Sequence, residues 1–205
     1  MNIVFDFGNV LFDWSPATLI AEHFPKIAPL PGSPEDFSYR LVNDDWLAYD
    51  LGLIDTETVA ARCALAVGVD AAHLLQFVRR LPHVLQTIDP TVALLQALCK
   101  GEHGAHGVFY LSNMPTMFAS VLEAKHPWIA RFHGGIFSGR VKLAKPDAAI
   151  YALAERELNL IPGETLFLDD TRANVDEARA RGWKAEIITG PRSVHKALIR
   201  HGVLR

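Results

Sequence analysis

The amino-acid sequence predicts an α/β fold, with a doubly wound core of parallel strands and an inserted block of helices. Short apolar runs rich in β-branched and aromatic residues recur along the chain and alternate with helical segments. A long stretch without any such run separates the first run from the second. The 205 residues suffice for one domain, or for one core with a modest insertion.

The predicted strands begin with the run Ile3-Val4-Phe5, which Asp6 and Gly8 terminate. Further strands are predicted at residues 107–111, 165–168 and 185–188, and a fainter one at 135–137. Runs that are apolar on both faces are typical of the centre of a parallel sheet.

The helices of the predicted core have recognisable ends. Asp89 and Pro90 are predicted as N-cap and first residue of a helix that reaches Lys100 and is closed by Gly101. Two further helices are predicted, one that starts at Pro146-Asp147 and runs to about Leu158, and one over 174–181 that ends at Gly182.

Residues 15–88 contain no strand-like run and are predicted to be helical. Caps and glycines divide them into three predicted helices, which run from Pro34 to Leu51, from Asp55 to about Gly68, and from Asp70 to the residue before Pro82. We therefore expect a core domain of residues 1–14 and 89–205 and a helical cap domain of residues 15–88. The cap is interpreted as a lid or specificity module; the alternative is a helical layer that only covers the core.

Composition narrows the class of protein. Half of the residues are hydrophobic and 21% are charged, which is typical of a globular chain. The formal net charge of −3 gives no basis for a broad nucleic-acid or membrane-binding surface. Cys63 and Cys99 are predicted to be free thiols, and no run is apolar enough for a membrane helix or a signal peptide. We expect a soluble cytoplasmic protein.

Four polar signals carry the candidate chemistry. They are Phe5-Asp6-Phe7-Gly8-Asn9-Val10, Tyr110-Leu111-Ser112-Asn113, Lys145-Pro146-Asp147 and Phe167-Leu168-Asp169-Asp170. Three of them follow predicted strands, and ligands of open α/β sheets bind at the carboxyl ends of the strands. The four signals are therefore expected to meet in one crevice.

The residue types in this set favour phosphoryl transfer. Three carboxylates that meet in one place repel one another unless a cation joins them, and Mg²⁺ prefers oxygen ligands. A lysine and a hydroxyl group suit a transferring phosphoryl group, and a carboxylate can act as the nucleophile. Taken singly, each residue has a structural alternative: a turn former, a helix cap or a solvated loop lysine.

In their order and spacing, the four signals resemble the motifs of the haloacid dehalogenase superfamily of hydrolases. The separations are 106 residues from Asp6 to Ser112, 33 on to Lys145 and 25 on to Asp170. The resemblance implies a Rossmann-like core with a cap in the first insertion point. It also implies a Mg²⁺-dependent phosphatase that forms an aspartyl-phosphate on a small phosphorylated metabolite, such as a sugar phosphate.

The resemblance assigns roles to individual residues. Asp6 is the expected nucleophile and a metal ligand, and the backbone carbonyl of Gly8 is a second ligand. Ser112 and the amide of Asn113 are expected to bind phosphoryl oxygens, and Lys145 to neutralise charge on the nucleophile and the phosphate.

For the fourth motif, the resemblance implies that Asp170 binds Mg²⁺ and that Asp169 is either a ligand or a partner that positions one. Asn174 is expected to hold a metal-bound water or to order the loop; its alternative role is a helix N-cap.

One residue departs from the pattern of most phosphatases in this superfamily. The second residue after the nucleophile is usually an aspartate that acts as general acid and base, whereas here it is Gly8. Loss of such a group typically costs 10²–10⁴-fold in rate. Leaving groups that need little protonation, such as an acyl phosphate, would suffer least; the alternative is that another group substitutes, for example a water held by Asn9 or a cap residue.

Two alternatives to a phosphatase stay open. One is a 2-haloacid dehalogenase that needs no metal, although adjacent acids would then repel a carboxylate substrate. The other is a binding protein built on the same scaffold. Substrate choice is expected to come largely from candidate residues in or beside the cap, which are Trp14, Arg40, Asp45, Trp46 and Tyr49.

Overall fold

Five parallel strands form one sheet in the computed structural model, which describes residues 1–204. The strands are β1 (Asn2–Phe5), β2 (Gly107–Ser112), β3 (Gly134–Phe137), β4 (Thr165–Asp169) and β5 (Lys184–Ile187). Their order across the sheet is β3-β2-β1-β4-β5. All five predicted strands are present, and the predicted α/β class is confirmed.

The central position of β1 explains its composition. Ile3, Val4 and Phe5 are fully buried because β1 has a strand on each side and packed side chains on both faces. In the register of the sheet, Phe5 pairs with Tyr110 of β2 and with Leu168 of β4. The three strands therefore end at the same edge.

Five helices lie within residues 15–88. They are α1 (Pro16–His23), α2 (Pro34–Leu41), α3 (Asp44–Asp50), α4 (Thr56–Val67) and α5 (Ala71–Val84). A short 3₁₀ turn, Phe24–Lys26, follows α1. Six helices flank the sheet: α6 (Asp89–Cys99), α7 (Thr116–Lys125), α8 (Ser138–Val141), α9 (Ala148–Glu157), α10 (Arg172–Ala180) and α11 (Pro191–Arg200).

The single helix predicted from Pro34 to Leu51 is wrong, because the chain breaks at residues 42–43. Asn43 is the N-cap of a new helix, and its side-chain oxygen accepts hydrogen bonds from the backbone N–H groups of Asp45 and Trp46. Asparagine favours this role over a position inside a helix, since its side chain competes for backbone donors.

Three other predicted helix ends also need correction. Helix α5 does not stop before Pro82 but continues to Val84, so Pro82 lies in the last turn, where the backbone hydrogen bond that it removes is one of the final ones of the helix. Asp89 lies inside α6 and accepts a hydrogen bond from the Thr87 hydroxyl group instead of capping the helix. Asn174 lies within α10 and not at its N-cap, which is Thr171.

Two apolar clusters pack against the sheet. One contains Val4, Tyr151, Phe167 and Trp183. The larger one contains Ile3 and Phe5 and continues into the inserted helices through side chains such as Phe24, Phe37 and Phe77. The inserted helices thus share one apolar cluster with the sheet.

Within residues 1–204, no helix is long and apolar enough to cross a membrane.

Candidate active site

The carboxyl ends of three adjacent strands bring polar side chains together. Asp6 follows β1, Ser112 is the last residue of β2, and Asp169 is the last residue of β4. Lys145, in the loop between α8 and α9, reaches the same place. Each of these four residues is at most 7% exposed, although each is polar or charged. Such burial requires partners, because a polar group removed from water without them is costly.

Lys145 supplies the central charge pairing. Its Nζ lies 2.9 Å from Asp6 Oδ1 and 2.6 Å from Asp169 Oδ2. The backbone of Lys145 is held by Asn113, whose Oδ1 accepts from the Lys145 N–H at 2.8 Å and whose Nδ2 donates to the Lys145 carbonyl at 2.9 Å. Because the side chain of Asn113 is used in this way, its backbone N–H is the amide left for a phosphoryl oxygen.

Both carboxylate oxygens of Asp169 are occupied by donors of the protein. Besides Lys145, the backbone N–H of Thr171 donates to Oδ1 at 2.7 Å. The side-chain amide of Asn174 lies 3.0 and 3.1 Å from the two oxygens. These hydrogen bonds hold the Asp169 carboxylate in place and tie Asn174 of α10 to the end of β4.

Asp170 is oriented by Asn9. The Asn9 Nδ2 donates to Asp170 Oδ2 at 2.8 Å, while its Oδ1 accepts from the backbone N–H of Trp14 at 3.0 Å. Asn9 has a backbone φ of +53°, a conformation that asparagine tolerates better than most residues. The other oxygen of Asp170 has only a long 3.3 Å hydrogen bond from the Thr171 hydroxyl group.

The acidic residues of the site form a donor set that fits Mg²⁺. Carboxylate oxygens of Asp6, Asp169 and Asp170 all lie within 4.8 Å of one another. Three carboxylates thus face the single ammonium group of Lys145, which leaves negative charge that a divalent cation would compensate. The donors are all oxygen atoms, as Mg²⁺ prefers.

The protonation of the nucleophile candidate reflects this crowding. Burial raises the pKa of Asp6 to about 7, an effect that Lys145 opposes and Asp169 reinforces. Burial lowers the pKa of Lys145, but Asp169 and Asp6 outweigh it and raise that pKa above its usual range. A cation beside Asp6 would favour its ionised form.

A cavity of about 210 Å³ lies over this polar floor. Its walls are largely apolar and include Phe12, Trp14, Val42, Trp46, Leu85, Met114 and Phe118. Trp14 and Trp46 face each other with ring centroids 6.3 Å apart. The cavity can therefore hold an anionic group at its floor and an apolar group between its walls.

Three of the five predicted specificity residues lie away from the cavity. Arg40 donates to the carbonyl of Ala66, Asp45 pairs with Arg62 at 3.1 Å, and the Tyr49 hydroxyl group bonds that of Thr56.

Sequence reasoning missed five wall residues, Phe12, Val42, Leu85, Met114 and Phe118, and one acid, Asp50. Asp50 follows Trp46 by four positions on α3, and this spacing places the two on one helix face. The spacing was a usable signal for Asp50, whereas the apolar residues resemble ordinary core residues in the sequence.

Comparisons with known proteins agree with this geometry. The family model described as haloacid dehalogenase-like hydrolase matches residues 1–182. The sesquiterpene phosphatase astK of Aspergillus oryzae is 25% identical over 181 residues, which cover 87% of this chain and 85% of that protein.

Two solved structures share the fold. One is the HAD family enzyme bt-2542 of Bacteroides thetaiotaomicron in complex with magnesium and inorganic phosphate, at 21% identity, TM-score 0.73, and coverage of 92% of this chain and 94% of that one. The other is L-2-haloacid dehalogenase of Xanthobacter autotrophicus with chloropropionic acid covalently bound, at 18% identity, TM-score 0.69, and coverage of 100% and 84%.

Proposed function

This chain belongs to the haloacid dehalogenase-like hydrolase family, and from that membership we propose that it is a Mg²⁺-dependent phosphatase of a small phosphorylated metabolite. The observation that carries the proposal is the pairing of buried Asp6 with Lys145 beside two further acids, at the floor of a cavity. This set offers a nucleophile, a fixed cation and a metal site to one phosphoryl group.

In the proposed reaction, a carboxylate oxygen of Asp6 attacks phosphorus while the bond to the leaving oxygen breaks. Lys145 neutralises charge on Asp6 and on the phosphoryl oxygens, and Ser112 with the Asn113 backbone N–H binds those oxygens. Asp6, the Gly8 carbonyl and Asp170 would hold Mg²⁺, with Asp169 positioning Lys145. When bound, the ion shields the carboxylate from the phosphate. Water then hydrolyses the aspartyl-phosphate.

The comparisons support this proposal, because one relative is named a phosphatase and one structural neighbour binds magnesium and phosphate. The partner is accordingly a small-molecule phosphate ester. Neither a nucleic acid nor a membrane is part of the proposal. We further propose that residues 15–88 act as a cap that selects the substrate, since Val42, Trp46, Asp50 and Leu85 of this segment line the cavity.

The cavity walls favour a phosphate ester with an apolar organic group over a sugar phosphate, which was the expectation from the sequence. The hydroxyl groups of a sugar would need polar partners, whereas most of the wall is aromatic or aliphatic. The name of the sesquiterpene phosphatase relative points to the same class of substrate. Sugar phosphates remain the second candidate.

The dehalogenase alternative fits the site less well. Its substrate is a carboxylate, and three clustered acids against one lysine would repel it. Phosphate release is the decisive measurement, with para-nitrophenyl phosphate, sugar phosphates and farnesyl monophosphate as substrates, each with Mg²⁺ and with excess chelator.

We expect phosphate release that depends on Mg²⁺. It should be faster from farnesyl monophosphate than from the sugar phosphates. Chloride release from 2-chloropropionate without metal would establish the dehalogenase instead. Binding of Mg²⁺ and phosphate without turnover of any ester would establish a binding protein.

A further inference from the structure

Building on the phosphatase function proposed above, we propose that Asp50 is the catalytic acid that protonates the leaving-group oxygen. It would stand in for the carboxyl group that Gly8 lacks. Asp50 is the last residue of α3 and comes from the cap segment, whereas the usual acid follows the nucleophile along the chain.

Asp50 lines the cavity whose floor is the candidate phosphate site. Among residues 1–204, three acids line this cavity: Asp6, Asp170 and Asp50. Asp6 and Asp170 belong to the acidic cluster with Asp169, and Asp50 does not. It is therefore the one lining carboxyl group that is left for the organic half of a substrate.

The carboxyl group of Asp50 has no partner among residues 1–204. Hydrogen bonds and ion pairs reach only its backbone carbonyl. The cations on the packed helices α4 and α8 are used elsewhere: Arg62 pairs with Asp45, and Arg140 with Glu123. Asp50 is half-buried and lines the cavity, so a carboxyl group that the protein leaves unpaired there is available to a ligand.

The protonation state of Asp50 suits a general acid. Burial alone raises the pKa of Asp50 to about 7, since no ionised neighbour contributes. A large fraction of the carboxyl group is thus protonated at neutral pH, and a catalytic acid works best when its pKa lies near the working pH.

The position of Asp50 is fixed relative to the phosphate-binding loop. Its backbone carbonyl accepts a hydrogen bond of 2.5 Å from the Ser138 Oγ, which also accepts from the backbone N–H of Met114 at 2.8 Å. Met114 follows Ser112 and Asn113 directly. One hydroxyl group therefore ties the end of α3 to the loop after β2.

A second contact holds the chain at the end of α3. Gly52 has a φ of +64° and packs against the backbone carbonyl of Gly139, so closely that a Cβ atom would collide with it. The chain beyond α3 is thus pressed onto α8. A proton donor requires such fixed geometry, and a freely moving surface residue would not provide it.

In the proposed reaction, Asp50 gives one proton to the leaving oxygen and later takes one from water. As the bond from Asp6 Oδ to phosphorus forms, the bond from phosphorus to the leaving oxygen breaks and its electron pair stays on that oxygen. The proton of Asp50 moves to the oxygen, which gives the free alcohol and leaves Asp50 as a carboxylate. Asp50 then accepts a proton from the water whose oxygen bonds to phosphorus while the bond from Asp6 Oδ to phosphorus breaks. Phosphate is released, the Asp6 carboxylate is restored, and Asp50 is again a carboxylic acid.

The test compares substrates that differ in their need for a proton. An alkyl phosphate such as farnesyl monophosphate has a poor leaving group, whereas para-nitrophenyl phosphate has a good one. In the Asp50→Asn variant we expect kcat/KM for the alkyl ester to fall by about 10²–10⁴-fold, and for the aryl ester by less than about tenfold. Asp44→Asn, an exposed acid of the same helix, is the matched control and should preserve the ratio of the two rates.

A rescue experiment separates catalysis from structural support. A Cβ atom at Gly8 would meet only Trp14, at 3.7 Å, which is ordinary van der Waals contact, so the backbone there tolerates a side chain. Gly8→Asp in the Asp50→Asn background should restore alkyl phosphate hydrolysis selectively. If Asp50→Asn does not fold, as judged by circular dichroism, Asp50→Ser replaces it with the same expected selectivity.

Equal losses for both esters, or no loss for either, would overturn the role of Asp50. Failure of the wild-type protein to hydrolyse either ester with Mg²⁺ would instead overturn the phosphatase function itself. The two failures are therefore distinguishable.

Discussion

Asp6 occupies a buried position, crowded by other acids, that is costly for the folded chain. Its carboxyl group is 7% exposed and shares a small space with two other acids, and burial raises its pKa to about 7. A residue kept solely for stability would not be a crowded carboxylate. The geometry of its partners is thus better explained by a ligand that carries charge of its own.

Replacing the nucleophile tests this explanation directly. Asp6→Asn keeps the shape of the side chain but removes the attacking oxygen, and we expect phosphate release from para-nitrophenyl phosphate to fall to background. Thermal unfolding should still be cooperative, because the neutral amide relieves repulsion with Asp169. Turnover near the wild-type rate would exclude covalent catalysis at Asp6.

The burial of Asp50 predicts a pH dependence of stability. In the unfolded chain Asp50 ionises near pH 4, whereas in the folded state burial raises its pKa to about 7, so the free energy of unfolding declines between about pH 4 and 7. Chemical denaturation should therefore show that Asp50→Asn gains stability relative to wild type as pH rises through this window, with no further gain above it. A pH-independent difference would show that Asp50 titrates normally.

At the scale of elements, the break between α2 and α3 determines the upper wall of the cavity. Asn43 ends the first helix and caps the second, and this turn directs Trp46 and Asp50 toward the sheet. In a continuous helix through residues 34–51, the side chains of residues 44–50 would point in other directions. The break at this one asparagine thus helps to set which side chains of residues 15–88 line the cavity.

Removal of the N-cap of α3 should affect both stability and activity. Asn43→Ala loses two hydrogen bonds to backbone N–H groups, and we expect a cost of about 1 kcal/mol and a Tm lowered by about 2–4 °C. The Asn43→Ala change should also raise the KM for the phosphate ester substrate, because it displaces Trp46 in the cavity wall. Asp70→Ala removes a similar cap from α5, far from the cavity, and should lower Tm alone. Equal effects of the two variants on KM would show that α3 does not shape the site.

At the scale of the molecule, the fold places the cluster of acids and the apolar wall residues in one cavity. The strands deliver the acids to one edge of the sheet, and the inserted helices close over them through the apolar cluster that they share with the sheet. Neither part forms the cavity alone. Binding of a cation at the floor should therefore stabilise the molecule as a whole.

Thermal unfolding with and without Mg²⁺ measures this coupling. At a Mg²⁺ concentration about 100 times the Kd, linkage predicts about 2.7 kcal/mol of added stability, which excess chelator should remove. Asp170→Asn should abolish the shift, since Asp170 is the acid with an available oxygen. Asp176→Asn, an exposed acid on α10, is the control and should retain it. A shift that survives in Asp170→Asn would place the ion elsewhere.

The sequence by itself determined the α/β class, the five strands and the four polar signals, three of which follow strands. It could do so because strands that are apolar on both faces, and acids that follow them, are local patterns with few alternative explanations. The motif spacing then identified the family. The position of the missing acid at Gly8 was also visible in the sequence alone.

Only the tertiary structure decided which cap residues face the site and what holds each charge. The hydrogen bonds of Ser138 to Asp50 and of Asn113 to Lys145 join residues that are far apart in the chain. The break at Asn43 depends on one residue that caps a new helix in place of continuing the old one. Such contacts leave no periodic pattern, because they are set by how the helices of residues 15–88 pack against the sheet. For the same reason, Asp50 became a candidate catalytic residue only once the cavity around it was known.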